Sequence, residues 1–365
     1  MLLIPISALL LSGCSGDEPA KVTQRYQPLP VVRTVKTPVL MHYMPWFERP
    51  ETNQGRWGMH WTMANRNPDK IIDAVTGRRE IASHFYPLTG PYASSDPDIL
   101  EYQVLLMKIT GIDGVLVDWY GTSSHADYPQ ISRNVEALIG QLHSAGLKYA
   151  FVYEDQSVRH AVDAGVVSDP IAQAKTDWQW MSSYFKSADY VRLQNSGTVI
   201  GAGKPLVMTF GPQYFQTPSQ WSTILSASSE APEFLTLWYE SGDAGNSVSG
   251  EFAWIYQDAR PYGAHLDDFY ARTVPGGTRM AVAFPGFRDF YREGGWGDNL
   301  FFIDHEETIT TYNTFAAALK SGGPVQLATW NDYGEGTMFE PTVEFGYKLL
   351  ESIQKTLGEI GRAHV

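Results

Sequence analysis

Residues 96–121, DPDILEYQVLLMKITGIDGVLVDWYG, hold the pattern that decides the fold. Asp96 followed by Pro97 is helix-start chemistry: a short acidic side chain can accept the free N–H groups of a first turn, and proline loses nothing where no N–H is needed. Apolar residues then recur at helical spacing as far as Gly111, which suits the left-handed backbone of a helix end. Past Gly111 the period changes. GVLVDWYG (114–121) is a short, β-branched and aromatic run of the kind that forms a buried strand. A helix feeding a buried strand is half of a βαβ unit and implies a parallel sheet.

The same alternation extends in both directions. VLMHYMPWF (39–47), KYAFVYED (148–155), PLVMTFG (205–211), FLTLWY (234–239), FAWIYQD (252–258), RMAVAFPGF (279–287) and VQLATWND (325–332) read as further buried strands. SRNVEALIGQLHSAG (132–146) and DPIAQAKTDWQWMSSYF (169–185) repeat the start and stop signals of the first helix, and PSQWSTILSAS, HLDDFYART and EETITTYNTFAAALKSG supply more helices. Eight strands alternating with helices predict a single (β/α)8 TIM-type barrel with long βα loops, spanning residues 36–360. The connection within 234–257 is too short for a full crossover helix. IASHFYPLTGPYASSD (81–96), rich in Pro and Gly, reads as a long loop and not as a ninth strand.

The chain has 365 residues, within the range of one such barrel, with 43% hydrophobic and 18% charged residues. Its formal net charge of -13 argues against a nucleic-acid partner, whose phosphates it would repel. Eleven Trp, 20 Tyr and 17 Phe are a heavy aromatic load, much of it beside Asp, Asn and Gly. Rings in polar company suit sugars, which stack an apolar face and hydrogen-bond at their edges. A monomer without a cofactor is expected.

The first residues, MLLIPISALLLSGCSGDEPA, read as a targeting segment and stand outside the fold. The run ending Leu11-Ser12-Gly13-Cys14 resembles a bacterial lipoprotein signal, in which the cysteine is lipidated after cleavage. Residues 1–14 are therefore expected to be the signal, with Cys14 as the lipidated residue, and 15–35 a tether. Asp17-Glu18 after the cysteine is similar to surface-export signals of Bacteroidota lipoproteins. The expected location is the bacterial cell envelope, periplasmic or on the outer-membrane surface, with membrane contact only through the lipid.

A barrel of this class works at the C-terminal ends of its strands. Those ends are loaded here: Tyr43 and Trp46; Asp118, Trp119 and Tyr120; Glu154-Asp155; Trp238, Tyr239 and Glu240; Asn331 and Asp332. The last of them opens the stretch WNDYGEGTMFEP (330–341). Its Asn, Asp and Gly content fits a surface turn, and its spacing of Asp332 and Glu335 fits an acid/base pair brought together by a bend at Gly334 and Gly336. Two carboxyl groups astride a bond, one protonated and one ionised, are the requirement of glycoside hydrolysis. A non-catalytic glycan-binding lipoprotein is the competing class, disfavoured by the intact pair. A metal-dependent hydrolase is disfavoured by the scatter of His42, His60, His84 and His305.

Five blocks together give a specific resemblance: HYMPWF (42–47), GMHW (58–61), IASHFYPLTGPYASSD (81–96), GIDGVLVDWYG (111–121) and WNDYGEGTMFEP (330–341). In order and spacing the chain resembles glycoside hydrolase family 99, the endo-α-mannosidases and endo-α-mannanases, and more distantly the α-1,3-glucanases of family 71. The resemblance implies an α-mannoside substrate and retention of configuration. On it, Asp332 falls on the carboxylate that helps the sugar's own 2-hydroxyl attack the anomeric carbon. Glu335 falls on the general acid and later base. Glu154 matches a further glutamate of the pocket, and His60-Trp61 a His-Trp block. Substrate contacts are expected from Tyr43, Trp46, His60, Trp61, Asp118, Trp119, Tyr120, Glu154, Tyr239, Asn331 and Tyr333, above an aliphatic barrel interior. The chain departs from the family 99 pattern at Asp332, one methylene short, and at Tyr333-Gly334. WNDYGE is closer to the family 71 spelling, which implies an α-1,3-glucan substrate with inversion.

Overall fold

The computed structural model describes residues 32–194 and 199–359. Cys14, with the signal and most of the tether, lies outside the described residues. Eight strands form a closed, all-parallel barrel: β1 (Val39–Tyr43), β2 (Gly114–Trp119), β3 (Lys148–Tyr153), β4 (Lys204–Thr209), β5 (Glu233–Leu237), β6 (Gly250–Phe252), β7 (Thr278–Ala283) and β8 (Val325–Leu327). Closure is made by β8 against β1, with Val325 opposite Val39, and by β4 against β5, with Leu206 opposite Glu233. Seven of the strands fall on runs read from the sequence. β6 shares only Phe252 with the run at 252–258, because it begins at Gly250 and carries the buried Glu251, which breaks the apolar run, while 253–258 continues past the strand end.

The helices follow the same chemistry, with local differences. In α1 (Pro97–Thr110) the Asp96 carboxylate accepts the N–H of Asp98 at 3.0 Å and of Ile99 at 3.4 Å. Gly111 ends the helix at φ 92°, its N–H turned back to the carbonyls of Met107 and Lys108. α2 (Tyr128–Ala145) begins four residues before the stretch read as its start, because Asp127-Tyr128-Pro129 already supplies a helix entry. α3 (Gln156–Asp163) is a short helix directly after β3. α4 (Pro170–Ser183) has Asp169 as its cap but no glycine stop; it tightens into a 3-10 turn at Tyr184–Lys186. α5 (Pro218–Leu225), α6 (Tyr262–Ala271) and α7 (Ile309–Lys320) complete the crossovers, and α8 (Lys348–Leu357) packs on the outside. Between β5 and β6 the connection holds only a single helical turn, Ser241–Ala244, and a 3-10 turn, as its length requires. Residues 81–96 form no strand.

Period-two alternation sorts the strand side chains between barrel interior and helix layer. Tyr43 points out, its hydroxyl bonded to Gln103 of α1 at 2.7 Å; Trp119 points out, its indole N–H bonded to Ser132 of α2 at 3.0 Å. Tyr153 does the same, bonding Asp177 of α4 at 2.7 Å. Asp118 and Glu154, in the opposite phase, therefore face the interior. That interior is not purely aliphatic. His42 Nδ1 lies 3.2 Å from the Gln326 side-chain oxygen, Gln326 Nε2 donates to the carbonyl of Ala253 at 2.6 Å, and the Trp254 ring meets His42 edge-on. Burial lowers the His42 pKa to about 4, so it stays neutral.

Candidate active site

Asp332 and Glu335 lie on a loop that continues β8. The strand ladder stops at Leu327, not at Asp332, and the chain then folds back on itself. Thr329 N–H donates to the Thr337 carbonyl at 2.9 Å, Phe339 N–H to the Thr329 carbonyl at 2.8 Å, and Glu340 N–H to the Trp330 carbonyl at 2.8 Å. Asp332 sits at the turn. Its own N–H donates to Thr329 Oγ1 at 2.8 Å, and its carboxylate accepts the Glu335 N–H at 3.0 Å. Gly336 supplies the bend at φ 67°, and a Cβ there would lie 2.7 Å from the Arg288 carbonyl oxygen. Gly334 has no left-handed backbone; its role is space, since a Cβ would stand 3.3 Å from both Asp332 and Met63.

Beneath the loop, a buried polar network fixes its height. Glu340 accepts hydrogen bonds from Tyr92 at 2.8 Å, Tyr333 at 2.9 Å and Gln103 at 2.6 Å. Burial pushes its pKa up to about 7 despite these donors. Asn331 clamps β1 to the loop, donating to the Met44 carbonyl at 3.0 Å while its side-chain oxygen accepts the Met44 N–H at 2.9 Å. Tyr43, Asn331 and Tyr333, expected as substrate contacts, are thus fully buried scaffold whose polar atoms are already bonded.

Above it, a cavity of about 130 Å3 is walled by Trp46, His60, Tyr120, Tyr291, Trp296 and Asp332, with Met63 and Gly334. His60 lies flat on Trp46, ring centroids 4.2 Å apart and planes within 4°, with its Nε2 3.5 Å from an Asp127 oxygen. Tyr291 donates its hydroxyl to Glu335 at 2.8 Å. Trp296 stacks on Tyr291, meets His60 edge-on and remains 43% exposed at the mouth. Neither Tyr291 nor Trp296 was anticipated. Their signal was present in YREGGWGDNL (291–300), two rings set among glycines on the loop after β7.

Of the expected contacts, Trp46, His60, Tyr120 and Asp332 come together in this wall, with Glu335 behind Tyr291 and Asp118 and Glu154 in the barrel mouth. Besides the scaffold residues Tyr43, Asn331 and Tyr333, three others do not. Trp61 is fully buried among Phe47, Tyr92 and Tyr333, its N–H on the Tyr92 carbonyl at 2.8 Å. Trp119 stacks on Trp180 of α4 at 4.3 Å, in the helix layer. Tyr239 is 55% exposed on the outer surface, with the Arg272 guanidinium 4.5 Å over its ring. Asp155 also serves the scaffold, accepting the N–H groups of Gln213, Tyr214 and Phe215.

Four carboxyl groups share this end of the barrel, and neither Lys nor Arg lines the cavity. Burial, then the Asp332 charge, pushes the Glu335 pKa up to about 8, against the Tyr291 hydrogen bond. Burial raises Asp332 only to about 6, because the N–H groups of Glu335 and Gly334 and the field of His60 favour its ionised form. Asp118 is held well above the carboxylate range by burial and by Asp332, and Glu154 by burial and by Asp118. Near pH 7 the pair thus divides into a proton carrier, Glu335, and an anion, Asp332.

The family model "glycosyl hydrolase family 99" matches residues 34–232. A human glycoprotein endo-alpha-1,2-mannosidase-like protein is 23% identical over 230 residues, covering 59% of this chain and 47% of the relative. The mouse protein of the same name is 24% identical over 192 residues, covering 50% and 39%. The chain therefore spans less than half the length of these curated relatives. Among solved structures, the endo-alpha-mannosidase of this family from Bacteroides thetaiotaomicron, in complex with Bis-Tris-propane, aligns with a TM-score of 0.61 at 20% identity, over 87% of this chain and 94% of that one. A glycoside hydrolase-like protein aligns with a TM-score of 0.60 at 14% identity, over 91% and 97%. At such identities the structural likeness shows the barrel. The family match ends before β5, so the loop carrying Asp332 and Glu335 lies beyond it.

Proposed function

The chain belongs to glycosyl hydrolase family 99, and we propose that it is a glycoside hydrolase that cleaves α-mannosidic bonds of a glycan, with Glu335 as proton donor and Asp332 as its ionised partner. The observation that carries this reading is the placement of two carboxyl groups three residues apart, Asp332 in the wall of an aromatic cavity with its carboxylate accepting the Glu335 N–H, and Glu335 behind it accepting the Tyr291 hydroxyl. Burial and the Asp332 charge raise the Glu335 carboxyl. Trp46, His60 and Tyr120 offer the sugar ring apolar faces. Asp118 and Glu154, from the mouth of the barrel, offer polar partners to its hydroxyls.

In this mechanism Asp332 accepts the proton of the substrate's 2-hydroxyl as that oxygen attacks the anomeric carbon, while Glu335 gives its proton to the departing glycosidic oxygen. Glu335, now ionised, then takes a proton from the water that attacks the anomeric carbon, while Asp332 returns its proton to the 2-oxygen as the anhydro ring opens, and the product keeps its α configuration. Incubation with α-mannans, α-1,3-glucans and aryl α-glycosides, with the first product anomer followed by NMR, tests both halves. Cleavage of α-mannan with an α product is the expected result.

One observation favours a second reading. The Asp332-Tyr333-Gly334-Glu335 spelling falls outside the family match and resembles that of the α-1,3-glucanases more closely. Release of a β-anomer from α-1,3-glucan would assign inversion, with Asp332 as base for a water. The lipid-anchored envelope location rests on the Leu11–Cys14 run alone; Cys14→Ala should move the protein from membrane to soluble fractions.

A further inference from the structure

The cavity beside Asp332, at about 130 Å3, is smaller than the ~300–1,000 Å3 of sites that engulf a whole ligand. The remainder of a bound glycan must therefore lie outside it. Two larger depressions, of about 670 and 510 Å3, flank the excursion of the chain that follows β1, and Trp57 stands in the wall of both.

The larger groove begins where the cavity ends. The helical turn Met59–Thr62 faces the cavity with His60 and the groove with Met59 and Thr62. Asp127, which lies 3.5 Å from His60 Nε2, belongs to the groove wall. One helical turn separates the two spaces, and a chain leaving the cavity over His60 meets the groove next. Its lining suits a sugar chain: Thr52, Asn53, Gln54, Arg56 and Gln130 present hydroxyl, amide and guanidinium groups. Trp57 is half-buried and held in orientation by two polar contacts. Its N–H donates to Asp69 at 2.8 Å, and the Arg79 guanidinium lies 5.7 Å from the ring centroid. A ring fixed in this way, with open grooves on both flanks, is a pre-set stacking platform.

We propose that the groove over Trp57 is a distal glycan-binding surface, which grips sugars remote from the scissile bond and makes the enzyme select long chains. The proposal rests on the glycan-hydrolase reading above and extends it. Calorimetric titration of the Glu335→Gln protein with a ladder of linear α-mannan oligosaccharides tests it. Affinity should rise with chain length until the chain spans to Trp57. Adding Trp57→Ala should weaken the longest members at least ~10-fold, with recovery in Trp57→Phe. Asn53→Ala, on the same wall but outside the contacts that hold Trp57, should weaken the same members. Affinity independent of length, or equal affinity with and without Trp57, overturns the groove while leaving the α-mannoside reading intact. Failure of every α-mannan chain to bind the Glu335→Gln protein or to be cut by the native one overturns both.

Discussion

Asp332 and Glu335 differ in one respect that their spacing does not display: Asp332 accepts two backbone N–H groups of its own turn, whereas Glu335 receives a single tyrosine hydroxyl. Asp332→Asn and Glu335→Gln should each lower kcat by at least ~100-fold, the scale of losing a positioned acid or base, as read from steady-state rates. The native pH profile should be bell-shaped, rising as Asp332 ionises around 6 and falling as Glu335 ionises around 8. Tyr291 tunes the second limb. Its hydroxyl donates to the charged form of Glu335, so Tyr291→Phe raises the Glu335 pKa and moves the alkaline limb up by about one pH unit, the low end for a hydrogen bond to a charged group. An alkaline limb that stays in place or moves down would refute that role. At this scale the sequence was readable only in part. Asp118 and Trp119 are adjacent in a strand, so period two already required that they face opposite ways. Trp61 carried no such signal, because it lies on an irregular excursion whose packing on Phe47 depends on distant parts of the chain.

The loop 328–341 behaves as one element. It is laced across its own width by backbone hydrogen bonds and anchored from below by Asn331, Tyr333 and Glu340. Its weakest point is Gly336, where an alanine meets both a left-handed backbone and the Arg288 carbonyl. Gly336→Ala should cost about 1–3 kcal/mol in denaturant unfolding and lower turnover as well, since Glu335 precedes it. Unchanged stability would show that the bend is not strained. At the scale of elements seven of the eight strands were legible because buried parallel strands are continuous apolar runs, and β6 was misplaced because Glu251 interrupts its run. The end of β8 was not legible, because 328–332 keeps a strand-like composition while its hydrogen bonds go to 337–340. The final helix, α8, went unread although Leu349, Leu350, Ile353 and Leu357 mark its buried stripe.

Across the whole molecule, the cavity imposes a cost on the fold that changes with pH. Asp118, Glu154, Asp332 and Glu335 are all raised in the folded state, chiefly by burial. The fold therefore favours their protonated forms. Their contribution to stability is fully present below the ordinary carboxylate range and is lost as pH rises through the folded values, up to about 8 for Glu335. A chain of net charge -13 also repels itself more strongly as pH rises, so the native melting curve alone cannot isolate this effect. Comparison with Glu335→Gln does, because overall repulsion is nearly common to both proteins. Near pH 5 the native Glu335 is protonated and the two should melt together. Near pH 8.5 the native carboxylate is charged while buried behind Tyr291 with no Lys or Arg to offset it, and Glu335→Gln should melt higher by about 2 °C or more, the shift that ~1 kcal/mol brings to large domains. The gain should accompany the ~100-fold loss of turnover. An equal melting difference at both pH values would mean that Glu335 is not held protonated by the fold, and the division of labour between Asp332 and Glu335 would fall with it.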